Sequence, residues 1–101
     1  MIRHIVCIKI KDFASGKTKS ENLLTMQKLL LSLKSKIPFI NELEVGINSL
    51  KADPLNYDIV LMVSLNSMKD LDLYQNHPEH KKVSEFISKV RESRACIDYE
   101  Y

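Results

Sequence analysis

Two segments, Ile2 to Lys11 and Tyr57 to Leu65, put apolar side chains on both sides of an extended chain, and this limits the folds open to a sequence of 101 residues. In the first, Ile2, His4, Val6, Ile8 and Ile10 alternate onto one face while Ile5 and Cys7 make an apolar centre on the other. In the second, Tyr57, Ile59, Leu61, Val63 and Leu65 face one way and Val60 and Met62 the other. A strand that needs cover on both sides belongs in the middle of a sheet. A chain of 11.7 kDa makes one domain, here residues 1–101, with one layer of helices to cover one sheet face. The other face is expected to meet a second copy of the chain, a homodimer.

The remaining segments supply that helix layer and two further strands. Asp12 to Lys17 reads as a loop with a turn at Gly16. Thr18 and Glu21 have capping-box spacing and open a helix to about Lys34, with Leu23, Met26, Leu30 and Leu33 on an apolar stripe widened by Leu24, Leu29 and Leu31. Pro38 ends that helix, and Phe39 is expected to plug the end of the core. Leu43 to Asn48 reads as a strand, with Gly46 marking a close approach or a bulge, and Ser49 to Asn56 as an exposed connection. Ser67 and Asp70 offer a second capping box, and Met68, Leu71 and Tyr74 follow at three-residue spacing, turning Tyr74 toward the core. Pro78 starts a new helix carrying Val83, Phe86, Ile87 and Val90 inward. Arg94 to Tyr101 closes the chain as a strand, alternating Ala95, Ile97, Tyr99 and Tyr101 against Cys96, Asp98 and Glu100. The order strand, helix, strand, strand, broken helix, strand predicts an α+β, ferredoxin-like βαββαβ subunit with an antiparallel sheet.

Composition narrows the function classes. The net charge of +2 is too small to imply a nucleic-acid partner, and no aromatic residues interleave with Lys9, Lys11, Lys17, Lys19, Lys81 and Lys82. No apolar run approaches a membrane span, and the apolar start of the chain is broken by Lys9 and Lys11, unlike a signal peptide. Cys7 and Cys96 lie in predicted strands and form no disulfide framework, so they are expected to be reduced and buried, in keeping with a cytoplasmic protein. With glycines only at 16 and 46, no phosphate-cradling loop, dinucleotide fingerprint or nucleophile elbow can be built.

The chemistry concentrates in Tyr74-Gln75-Asn76-His77-Pro78-Glu79-His80, which straddles the joint between two helices. His80 is the leading catalytic candidate, because a neutral imidazole accepts a proton near pH 7 and a carboxylate such as Asp98 can orient it. Tyr74 can donate a proton to a carbonyl oxygen or steady an enolate. Plain alternatives stand beside each: His80 bonding a helix end, Asp98 facing solvent, and Tyr74 at the core edge. His77 reads as a cap on the following helix, and His4 as a satisfied core histidine or a pocket wall. The pair His77 and His80, with Glu79 or Asp98, makes a poor metal site because Pro78 interrupts the helical binding face. No cofactor or tightly held metal is expected.

Read together, Ile2-Arg3-His4-Ile5-Val6, Leu43-Glu44-Val45-Gly46, Tyr57-Asp58, the joint segment and Asp98-Tyr99 resemble the stress-responsive dimeric α/β-barrel (Dabb) family over nearly the whole chain. The resemblance implies a subunit whose sheet packs on its partner's to form a dimeric barrel. Many members are known only as stress-associated or uncharacterised small proteins, whereas a plant polyketide cyclase of the family closes a ring by an aldol-type step. Its catalytic tyrosine and histidine match Tyr74 and His80, its histidine-orienting aspartate matches Asp98, and its pocket-lining first-strand histidine matches His4. A pocket would then be lined by His4, Val6, Ile8, Leu61, Val63 and Cys96. The first helix carries Leu, Met and Gln where that cyclase has aromatic residues, and the region before Pro38 is longer, so a long planar polyketide is not implied. Two functions follow: a cofactor-independent cyclase, lyase or isomerase for a small carbonyl compound, or a non-enzymatic stress-response protein or binder of a small apolar ligand.

Overall fold

The computed structural model describes residues 1–101 as a four-stranded antiparallel sheet with three helices on one face. Strand β1 (Ile2–Ile10) buries alternate residues from Ile2 to Ile10, as its pattern demands. Strand β5 (Ile59–Leu65) buries Ile59, Leu61, Val63 and Leu65 on the same face. The sheet order is β4-β5-β1-β6, so the two doubly apolar strands occupy its centre. Strand β4 (Glu42–Ile47) forms one edge and β6 (Arg91–Glu100) the other.

Local chemistry sets the helix boundaries. Helix α1 (Lys19–Lys36) starts in a complete capping box: the Glu21 N–H donates to Thr18 Oγ1 at 3.3 Å, and the Thr18 N–H donates to the Glu21 carboxylate at 3.1 Å. Its buried stripe is Asn22, Met26, Leu30 and Leu33, narrower than expected, because Leu24 and Leu31 lie two turns apart on the solvent side. Buried Asn22 is satisfied by the Ala14 carbonyl at 3.1 Å. That carbonyl belongs to a small hairpin, β2 (Phe13–Ala14) with β3 (Lys17–Thr18), in the stretch expected to be a loop. Ser15 and Gly16 both take positive φ at its tip, the conformation that joins two strands through two residues.

Helix α2 (Met68–Gln75) has only half of its expected capping box. The Asp70 N–H donates to Ser67 Oγ, but an aspartate lacks the methylene a glutamate uses to reach back. Helix α3 (Pro78–Val90) has Pro78 in its first turn and His77 as its cap, with Nδ1 accepting from the Glu79 N–H at 3.1 Å. It feeds directly into β6, which therefore begins at Arg91, three residues before the expected start. Phe39 is half-buried against the core, where it meets the ring of His77. Gly46 sits in an unbroken register, and a Cβ there would come within 3.1 Å of a Val60 methyl carbon, so it marks close approach and not a bulge.

The helices cover the sheet unevenly. All of β6 is exposed, and on the face away from the helices Ile97 and Tyr99 stand open beside Ile5, Cys7, Val60 and Met62. The two cysteines are not both buried as expected: Cys7 is half-buried and Cys96 exposed, because Cys96 lies on the uncovered edge strand. They face opposite sides of the sheet, Cys7 opposite Ala95 and Cys96 opposite Val6. No helix is long and apolar enough to cross a membrane.

One buried carboxylate ties the end of β1 to β5. Asp58 accepts from the Ile10 N–H at 2.7 Å and from Lys19, while its own N–H donates to the Ile8 carbonyl at 3.0 Å. Asp58→Ala strips the Ile10 amide of its acceptor and is expected to cost about 1–3 kcal/mol of unfolding free energy. A denaturant midpoint unchanged from the parent protein would show that water replaces the carboxylate.

Candidate functional site

The pairing of β1 with its two neighbours lays out the site in rows. His4 stands between Val63 and Asp98, Val6 between Leu61 and Cys96, and Ile8 between Ile59 and Arg94. The β5 member of each row is apolar and buried, whereas the β6 member is polar and exposed. A polar strip therefore runs along one margin of an apolar floor, under α2 and α3.

Asp98 is committed to His4. His4 Nδ1 and Asp98 Oδ1 share a hydrogen bond, and the His4 ring is almost fully enclosed while Asp98 reaches solvent. The expectation that Asp98 orients His80 is therefore not met, because the antiparallel register puts residue 98 directly opposite residue 4. Cys96 Sγ lies 3.6 Å from His4 Nδ1 and 3.7 Å from Asp98 Oδ1. Burial and the neighbouring Asp98 anion both push the Cys96 thiol up, so it is a poor nucleophile.

The joint between α2 and α3 brings Tyr74 and His80 down onto this strip. Their ring centroids are 4.6 Å apart in an edge-on contact, and Tyr74 also meets His4 edge-on at 6.0 Å. Tyr74 is fully buried and its hydroxyl has no hydrogen-bond partner. Burial pushes the phenol well above its ordinary value, so it stays a proton donor at any physiological pH. His80 Nδ1 is likewise buried and unmatched. Burial pulls the His80 imidazole below its ordinary value of 6.5; the Gln75 carbonyl opposes this, and His4, Arg94 and His77 add to the lowering. At neutral pH the ring is an uncharged base.

Beside His80 opens a cavity of about 170 Å³. His4, Val6, Ile8 and Leu61 form its floor, Leu30, Val83 and Ile87 its apolar roof, and Gln75, His80, Ser84, Arg91 and Arg94 its polar side. Val63 is sealed in the core and Cys96 lies at the exposed margin, so neither lines the cavity as expected. Tyr74 packs behind His80 and also stays out of the lining. Sequence reasoning passed over Arg94, although it shares its strand face with Cys96 and Asp98. It also passed over Ser84, four residues beyond His80 on one helix, and read Ile87 as inward-facing without placing it at the cavity.

One donor set has the chemistry to hold a metal ion: His4 Nδ1, Cys96 Sγ and Asp98 Oδ1 lie within 4.8 Å of one another. Two of its three members already share a hydrogen bond, and two arginines line the adjoining cavity. Both features oppose a cation. His77 and His80 do not act as a donor pair, because His77 Nδ1 serves the cap of α3.

Fold and site together define a ferredoxin-like subunit with a histidine-walled cavity between its helices and the margin of its sheet. The chain belongs to the stress responsive A/B barrel domain (Dabb) family, which it matches over residues 2–101. A dimeric protein of unknown function and ferredoxin-like fold from Bacteroides fragilis is 30% identical, with 99% of this chain and 95% of that one covered and a TM-score of 0.81. A dimeric ferredoxin-like protein of unknown function from Thermobifida fusca is 22% identical, covering 99% of this chain and 90% of the other, with a TM-score of 0.84. The hydroxynitrile lyase of Passiflora edulis shares the fold at 19% identity, 97% and 90% coverage and a TM-score of 0.76. A search of curated proteins finds no match.

Asp98→Asn is expected to shift the ring nitrogen resonances of His4 and leave those of His80 in place. The reverse result would show that the carboxylate serves His80 in solution.

Proposed function

We propose that this protein carries a cofactor-independent proton-transfer pocket for a small carbonyl compound. The carrying observation is that an uncharged His80 and an Asp98-oriented His4 line one cavity, with a protonated Tyr74, its hydroxyl unmatched, packed edge-on behind His80. In this reading His80 takes a proton from the carbon beside a carbonyl. The electron pair of the broken C–H bond moves to the carbonyl oxygen, making an enolate, and the imidazolium returns its proton to carbon or to the product. Tyr74 backs the His80 ring edge-on, and in this reading its hydroxyl reaches the developing oxyanion once the His80 ring turns aside. His4, fixed by Asp98, presents its remaining ring nitrogen to the same space. Aldol-type cyclisations, β-eliminations and enolate-mediated isomerisations of small carbonyl compounds begin with this step. A volume of about 170 Å³ favours a small metabolite over an extended polyketide.

Exchange of carbonyl-adjacent hydrogen for deuterium in small ketones and oxo acids, followed by NMR, tests the reading. His80→Ala is expected to lower catalysed exchange by about a hundredfold with little change in melting temperature. Tyr74→Phe is expected to lower exchange while leaving stability equal or higher, since the lost hydroxyl has no partner. The wild-type rate should hold level above neutrality and fall as pH drops below the ordinary imidazole value of 6.5, because protonation removes the base. Absence of exchange with every ketone and oxo acid that binds would leave a non-catalytic binder of small ligands or stress-response protein.

We also infer that two subunits pack through the outer sheet faces. The support is the uncovered apolar surface of Ile5, Val60, Met62, Ile97 and Tyr99, together with the dimeric relatives. Sedimentation at micromolar concentration is expected to give twice the subunit mass, and Ile97→Glu to reduce it toward one. A wild-type monomer would refute this.

A further inference from the structure

We infer that the cavity takes carbonyl compounds that also carry a carboxylate, with Arg91 and Arg94 as the groups that bind it. This deepens, and rests on, the reading of the cavity as a ligand pocket. Both arginines line the cavity, and no aspartate or glutamate does. Neither guanidinium is paired with a carboxylate within 4.0 Å, whereas Lys9, Lys19, Lys36, Lys82 and Lys89 each have an acidic partner. Of the carboxylates on this face of β6, Asp98 is committed to His4, and Glu100 stands opposite Ile2, outside the cavity lining. Two cations at the wall of a partly apolar cavity lack an anion.

The backbone delivers the second of them. Along β6, Arg94 opposes Ile8 and Ser93 opposes Lys9, so regular pairing would set Glu92 against Ile10, on the cavity side of the sheet. A register shift between Lys9 and Ile10 sets Arg91 there instead. The extra residue of this bulge turns Glu92 away, into a separate surface hollow beside Lys9, Leu55 and Tyr57. The bulge thus exchanges an anion for a cation at the cavity. Arg94 is also close enough to His80 for its charge to favour the neutral imidazole, so the anion-binding group and the base act within one field.

A guanidinium fork pairs with a carboxylate in plane through two hydrogen bonds. With the carboxylate at the β6 end, the rest of a short oxo acid extends along Val6 and Leu61 toward His80. A cavity of about 170 Å³ suits a short-chain acid over an extended one.

The test titrates the whole protein, by NMR, with 4-oxopentanoate and with its uncharged methyl ester. The acid is expected to bind at least about tenfold tighter than the ester. In Arg91→Gln/Arg94→Gln the acid should fall to the ester's affinity, with the ester unchanged, and Arg94→Lys should keep part of the preference. Equal wild-type affinity for acid and ester overturns the inference without reliance on any variant. Saturation by neither up to about 50 mM does the same, as does inorganic phosphate displacing the acid at equal concentration. Deuterium exchange separates the two readings. Exchange of both compounds at equal affinity removes the carboxylate and keeps the proton transfer, whereas selective binding of the acid without exchange does the opposite.

Discussion

The antiparallel pairing of β1 with β6 is the interaction on which the site depends. It sets His4 against Asp98, Val6 against Cys96 and Ile8 against Arg94. Because strand side chains repeat every two residues, all these groups fall on the helix-covered side together. A slip of one residue would turn Asp98, Cys96 and Arg94 to the outer face at a stroke. The register is anchored by the apolar row on the far side of β1, where Leu61 and Val63 leave no alternative burial.

Incomplete cover is the second constraint. Three helices suffice for β4, β5 and β1 but leave β6 bare, so the cavity opens where the helix layer ends. This position makes a pocket affordable in a thin core, since its floor and roof are needed for packing in any case. It also grades the polarity of the cavity, from enclosed Leu61 and Leu30 to exposed Arg91 and Arg94. The His80 ring sits at the transition, buried enough to lose hydration yet adjacent to open space, with Tyr74 fully buried behind it. The unmatched Tyr74 hydroxyl and His80 nitrogen are costs to the fold, and of the two residues His80 borders the cavity.

Several features were legible because each rests on local rules. Two-sided apolar alternation placed β1 and β5 at the centre of the sheet. Thr18 with Glu21 fixed the start of α1, and Pro78 fixed that of α3. The hairpin at Ser15-Gly16 was missed because two-residue strands carry almost no pattern of their own. The exposure of Leu24 and Leu31 was missed because a leucine-rich helix shows several overlapping stripes, and packing chooses among them. The Asp98 partner was misread because sequence order cannot say which of two histidines a distant strand will face.

What the chain determined alone was its alternation, its caps and the gathering of Tyr74, His77 and His80 at one joint, all consequences of chemistry within a few residues. The tertiary structure decided the rest. It gave Asp98 to His4, sealed Val63 away and left Cys96 at the margin. It brought Arg91 to the cavity through a bulge that no local signal announces. The physical reason is that cross-strand register and helix cover depend on residues about ninety positions apart, and only the closed sheet brings His4 and Asp98 into contact.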